Sequence, residues 1–260
     1  MDANRLRDRL ERDQVAYGIV MGWDDPDLVE AAGACGFDFV FVDAEHGALG
    51  IRECVGLVRA AACEGMATWI RVPYADTRGV YRYLDTGATG LIFPHIRTSA
   101  DARNAIAACL FPPEGARGAL SSSRAARYGT AGTPLDYYRT ANTRVWALPM
   151  IEDTEAVENL TDILAVPGVR AVFIGPGDLA LSQLGKDDAS LPSVDHLVRR
   201  AIAESAGAGK VVATVAGTPA AATALVAQGV RAIAVGATGL FTGAGRAFLQ
   251  AAPRAGARVE

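Results

Sequence analysis

Lysine is scarce in this chain: of its 25 basic residues only Lys186 and Lys210 are lysines. Cysteine is scarce too, and Cys35, Cys54, Cys63 and Cys109 show no CxxC and no paired spacing, which argues against a disulfide framework or a zinc knuckle. Cys54 and Cys63 fall within a helical pattern, where a free cysteine serves as a small hydrophobe. A reducing, cytoplasmic setting is expected. The arginines never form a basic run and the net charge is −4, so a nucleic-acid footprint is not expected. The N-terminal MDANRLRDRLERD is charged throughout and lacks the apolar core of a signal peptide. No apolar run approaches the length of a membrane span.

What is present is an alternation. Strand-like runs YGIVMGW, DFVFVDAEH, ATWIRVP, TGLIFPHI, WALPMIED, VRAVFIGPGDLA, GKVVATVAG and VRAIAVGA are each followed by an amphipathic helical pattern. Pro26 suits the first turn of one helix, Ser99 and Asp101 suit the start of another, and a third is expected from about Asp76. Eight β and eight α units in 260 residues predict an α/β fold, a (β/α)8 TIM barrel forming a single domain over residues 1–260. A doubly wound open sheet would carry a glycine-rich turn after its first strand, and the turn MGWDDPD has none. Residues 112–143, between the fourth and fifth units, are rich in Gly, Ser and Arg and read as a long loop with little regular pattern. The close glycines of VGATGLFTGAGRAF read as a tight turn and a helix start.

Active-site side chains of such a barrel project from the C-terminal strand ends. Those ends carry Asp43, Glu45 and His46 on the second strand, Arg71 on the third and His95 on the fourth. The fifth carries Glu152 and Asp153, and the sixth Asp178 within GPGD. Glu152 and Asp178 belong to neighbouring strands, and two carboxylates brought together repel unless a cation lies between them. A hard divalent ion, Mg²⁺ or Mn²⁺, fits that donor set; helix N-terminal capping is the other reading of the same acids. Arg71 ends an apolar run, so it needs an anion, either a substrate oxyanion or Asp43 or Glu45. His46 has the chemistry of a general base, and Asp85 in RYLDTGATG could orient it. The backbone of GPGDLA could hold a carboxylate or phosphate.

FDFVFVDAEHG, IRVP, LDTGATGLIFP, FPPEGARG, MIEDTEAVENL and VFIGPGDLA resemble, in order and over nearly the whole chain, the metal-dependent class II pyruvate aldolases of the HpcH/HpaI family. The resemblance implies a divalent metal held by Glu152 and Asp178 and chelated by a 2-oxo acid. It further implies that Arg71 stabilises the enolate oxygen, that the backbone around Gly177 holds the carboxylate, and that His46, oriented by Asp85, is the general base. Asp43 and Glu45 would hydrogen-bond the metal's waters. A homo-oligomer, commonly a hexamer with the last helix exchanged between subunits, is also implied.

The chain departs from sugar-acid aldolases of the family at Met150, where they usually carry glutamine. It departs again at His95, where many aldolases carry an apolar residue and where macrophomate synthase and siderophore-type citrate synthases are similar to this chain. Neither lysine falls at a C-terminal strand end, so a Schiff-base aldolase is disfavoured. The leading expectation is (retro-)aldol cleavage of a 4-hydroxy-2-oxo acid to a pyruvate-type enolate and an aldehyde. The alternative is an oxaloacetate-acting enzyme that decarboxylates, or condenses the enolate with an acceptor such as acetyl-CoA. A non-catalytic metabolite sensor is the third reading. The metabolite partner in each case is a small 2-oxo acid.

Overall fold

The computed structural model describes residues 4–73, 77–130, 132–184 and 192–252. The first half of the chain runs α1 (Asn4–Glu11), β1 (Ala16–Met21), α2 (Pro26–Ala34), β2 (Phe39–Asp43), α3 (Ile51–Cys63), β3 (Ala67–Arg71), α4 (Tyr81–Asp85), β4 (Gly90–Phe93) and α5 (Ser99–Cys109). The second half begins with α6 (Pro134–Arg144), β5 (Trp146–Ile151), α7 (Thr154–Glu158), α8 (Leu160–Leu164) and β6 (Ala171–Ile174). It ends with α9 (Pro176–Leu181), α10 (Val194–Gly207), β7 (Val211–Val215), α11 (Pro219–Ala227), β8 (Ala232–Gly236) and α12 (Ala237–Ala251). The eight strands pair in parallel and in sequence order, and β8 returns to β1, closing the barrel.

Strand alternation sends every second side chain into the lumen. The inward set is lopsided. Strands β2, β3, β5 and β6 supply Phe39, Phe41, Trp69, Trp146 and Phe173, whereas β1, β7 and β8 supply Ala16, Ala213, Ala232 and Ala234. The rings pack on one another, Phe39 with Trp69 at 4.7 Å between centroids and Phe41 with Phe173 at 5.1 Å. The Phe39 ring lies directly over Gly18 of the neighbouring strand β1, in space that a Cβ at Gly18 would need. Large side chains thus pack beside small ones in the lumen. Helix α1, within the charged N-terminal segment, joins Leu6 and Leu10 to this lumen cluster at the N-terminal end of the strands.

Outside the strands a second, larger apolar layer joins Val40, Val42, Ile70, Leu91 and Val172 to the helices. Cys54 and Cys109 are buried in it, and burial pushes both thiols up to about 12, so they behave as small hydrophobes. Cys63, expected to do the same, is exposed at the end of α3.

One local expectation needs correction. Residues 112–143 are not all loop: Pro134 at the first turn and a reciprocal cap between Thr133 and Asp136 start α6, with the Thr133 hydroxyl donating to the Asp136 carboxylate at 2.6 Å. Helix α5 starts at Ser99 as expected; Thr98 before it is the cap, and its hydroxyl accepts from the Asp101 N–H at 3.2 Å. The expected helix start at Asp76 and the lysine Lys186 lie outside the described residues. Among the described residues no helix is long and apolar enough to cross a membrane.

Candidate active site at the C-terminal mouth of the barrel

The parallel register places Asp43 opposite Arg71, both on the inward face at the last turn of the lumen. The two form a forked pair, Nε to Oδ1 at 3.0 Å and Nη2 to Oδ2 at 2.7 Å. Glu45 Oε2 sits 3.0 Å from the third nitrogen, Nη1. Asp43 Oδ1 also accepts the backbone N–H groups of Glu45 and His46, at 3.1 and 3.2 Å, which bends the chain out of β2. Burial alone would raise the Asp43 carboxyl, but the bonds and charge of Arg71 outweigh it and hold it below the usual range. For Glu45 burial wins, and its carboxyl is raised despite Arg71. Arg71 therefore finds its required anions within the chain, and N–H donors remain on both terminal nitrogens.

His46 follows on the rim, 62% exposed, with Nε2 3.7 Å from Glu45 Oε2. Asp85 does not orient it within this chain. Helix α4 runs back toward the N-terminal end of the strands, so its last residue faces away from the mouth. There Asp85 accepts from Arg117 Nη2 at 3.0 Å, and the Arg117 guanidinium stacks over the Phe111 ring at 4.5 Å. A strand-to-strand reading of spacing misses this reversal of direction.

Glu152 continues the inward series Trp146, Leu148 and Met150 of β5 and is 1% exposed. Its Oε1 accepts the backbone N–H of His95 at 2.8 Å, whereas Oε2 is buried with no hydrogen-bond partner among the described residues. Gly175 makes the room: a Cβ there would stand 2.8 Å from both Glu152 Oε2 and the Met150 methyl. Burial pushes the Glu152 carboxyl up to about 7; the His95 N–H works against the rise, and the charges of Asp178 and Glu45 add to it. Asp178, half-buried in the first turn of α9, lies close enough to Glu152 for its charge to raise that carboxyl. Gly177, next to it, has open space where a Cβ would be.

A buried carboxylate oxygen without a donor, beside a second carboxylate, fits a hard cation. Glu152 and Asp178 would hold it. Among the described residues no group of three or more ligating side chains gathers, so water and substrate would complete its shell.

His95 occupies the turn after β4 with φ +53°, a left-handed conformation that costs a non-glycine residue on the order of 1 kcal/mol. That turn aims its N–H at Glu152. Its ring is 46% exposed, with Nδ1 3.2 Å from Asp153 Oδ2, and Arg97 grips Asp153 in turn, Nη2 to Oδ1 at 3.2 Å. Arg97 is absent from the sequence expectations, and the only local signal for it is its place two residues beyond a strand-end histidine.

The raised Glu152 carboxyl has a consequence for stability. The folded state keeps this proton more tightly than the unfolded chain, so its contribution is complete below about pH 4.5 and is lost as pH rises through about 7. The loss is roughly 3 kcal/mol for a shift of this size. In EDTA, denaturant titrations of wild type against Glu152→Gln should diverge by about that amount over this window, wild type becoming the less stable. Parallel curves would contradict the assignment.

The HpcH/HpaI aldolase/citrate lyase family model matches residues 17–242. A hydroxypyruvate/pyruvate aldolase of Deinococcus radiodurans is 32% identical over 90% of this chain and 84% of its own. An HpcH/HpaI aldolase/citrate lyase family protein from Burkholderia cenocepacia J2315 superimposes with a TM-score of 0.87 at 34% identity, covering 95% of this chain and 98% of that one. The citrate synthase SbnG superimposes with a TM-score of 0.81 at 27% identity, over 94% of this chain and 96% of that one. With the parallel barrel and the acids at its mouth, these matches place the chain in the HpcH/HpaI aldolase/citrate lyase family.

Proposed function

We propose that the chain is a divalent-metal-dependent carbon–carbon lyase that forms a pyruvate-type enolate by retro-aldol cleavage of a 4-hydroxy-2-oxo acid, and runs the reverse addition. The observation that carries this reading is Glu152 Oε2, buried with no hydrogen-bond partner among the described residues, on a carboxylate close enough to Asp178 and Arg71 for their charges to act on one another. Mg²⁺ or Mn²⁺ held by Glu152 and Asp178 supplies Lewis acidity toward a bound 2-oxo acid.

The chain's own residues do the rest. The remaining N–H donors of Arg71 stabilise the charge that develops on the 2-oxo oxygen as the C3–C4 bond breaks and its electron pair enters the enolate. Asp43 and Glu45 hold the guanidinium in place for this, and they would also hydrogen-bond the metal's waters. His46, open to solvent, takes the proton of the 4-hydroxyl as the aldehyde forms, and a proton returned to C3 completes pyruvate. The backbone at Gly177 receives the carboxylate. Exchange of pyruvate methyl protons in D₂O tests the reading: Mg²⁺ or Mn²⁺ should drive it, EDTA should stop it, and Arg71→Ala should slow it on the order of 100-fold. Absence of exchange with every divalent metal would sink it.

A second reading, decarboxylation of oxaloacetate or condensation of its enolate with an acyl acceptor, draws on Met150, on His95 and on the likeness to a citrate synthase. Metal-dependent release of CO₂ from oxaloacetate, lost in His95→Ala, would move the assignment there.

The same proposal extends to assembly as a homo-oligomer with α12 exchanged. Within this helix only Ala237 is buried, while Phe241 and Phe248 are 72% and 71% exposed. An apolar groove of about 320 Å³ lies beneath, lined by Tyr17, Phe37, Ala222, Ile233 and Val235. A partner's α12 would cover such a surface. Light scattering should give a mass above that of one chain, and Phe241→Asp with Phe248→Asp should reduce it; a wild-type monomer would refute the exchange.

A further inference from the structure

The foot of the barrel, opposite the mouth, holds a second polar cavity of about 420 Å³, between α4, α6 and the segment 117–127. Thr89 and Val145 line it, and they precede β4 and β5, which places it at the N-terminal end of the strands. A volume of this size takes a small metabolite. Arg117 also lines it, with a side chain only 1% exposed. Its Nη2 lies 3.0 Å from Asp85 Oδ1 and 3.5 Å from the Tyr137 hydroxyl, whereas its Nε is buried with no hydrogen-bond partner among the described residues. A buried N–H without an acceptor costs free energy that a ligand oxygen would recover.

Charge points the same way. Arg127 and Arg144 line the same cavity, exposed and without an ion-pair partner among the described residues. Asp85 answers Arg117, and the lining carboxylate of Asp136 is taken by Thr133, whose hydroxyl donates at 2.6 Å and whose N–H donates at 3.3 Å. Two guanidinium charges are left over, in a chain whose net charge is −4. A phosphate monoester brings close to two negative charges on one head, with three strong acceptor oxygens for donors that come from different directions. Burial raises the Tyr137 hydroxyl above its ordinary range, so it stays a neutral donor beside them. We propose that this cavity binds a phosphate monoester of a small carbon skeleton, with the phosphate on Arg127, Arg144 and Arg117 Nε and the carbon body against Leu84, Ala88 and Val145. The site is independent of the metal and of the chemistry at the mouth.

Calorimetric titration of the metal-free protein with glycerol 3-phosphate at low salt reads it directly. One molecule should bind per chain, and glycerol should not bind. Arg127→Ala and Arg144→Ala should each weaken binding about tenfold, and the double variant about 100-fold. Both side chains are exposed, so thermal melting should show these variants folded. Arg117→Lys keeps a charge for Asp85 but deletes the Nε donor, and should also weaken binding about tenfold. Succinate, whose two charges sit at opposite ends, should bind at least about tenfold more weakly than glycerol 3-phosphate. Arg103→Ala, an exposed arginine of α5 outside the cavity, should leave the affinity unchanged. The proposal is overturned by no binding at millimolar concentration, by equal affinity for succinate, or by an affinity that Arg127→Ala and Arg144→Ala leave untouched. Equal weakening in Arg103→Ala would mean that net charge alone attracts the anion, and overturns it too.

Discussion

A carboxylate taken out of water with one oxygen lacking a proton donor is the constraint around which the mouth of this barrel is arranged. Glu152 is almost wholly buried, one oxygen held by the His95 N–H and the other unmatched among the described residues. An isolated buried anion is costly, so the surroundings must either keep it protonated or meet it with positive charge. Arg71 is the nearby fixed cation, but its single positive charge is already met by the two carboxylates of Asp43 and Glu45. Asp178 only adds negative charge. The site is thus short of positive charge, and a divalent ion is the simplest remedy.

The barrel beneath is shaped to put that carboxylate there. Aromatic side chains crowd the lumen from β2, β3, β5 and β6, and alanines from β1, β7 and β8 complement them, so the lumen below Glu152 is lined by apolar side chains. The next inward residue rises into the mouth, and Gly175, just beyond the adjoining strand β6, leaves the space it occupies. The same layering puts Asp43 and Arg71 level with one another across β2 and β3. A pairing shifted by one residue would turn one of the two out of the lumen.

Most of this was legible in the sequence because period-two alternation and strand-end position are local signals. They gave the eight strands, the barrel and the set Asp43, Glu45, His46, Arg71, His95, Glu152 and Asp178 at one end. What they could not give depends on direction or on backbone conformation. Asp85 is near the others in sequence, but α4 carries it back along the barrel to Arg117. The left-handed turn at His95 belongs to a residue type that usually avoids it, and only that turn reveals how β4 serves Glu152. The cap of α6 was written as Thr133, Pro134 and Asp136, yet its Gly-rich and Ser-rich approach obscured it. Arg97 gains meaning only once Asp153 is seen beside His95.

The central claim is that the buried carboxylate exists to hold a cation. Titration of the protein with Mn²⁺, followed by the electron paramagnetic resonance of the free ion, tests it most directly. One ion per chain should bind, and Glu152→Gln should weaken binding by about 100-fold or more, since the neutral amide keeps the shape but removes the charged ligand. Equal Mn²⁺ affinity in the two proteins would contradict the account.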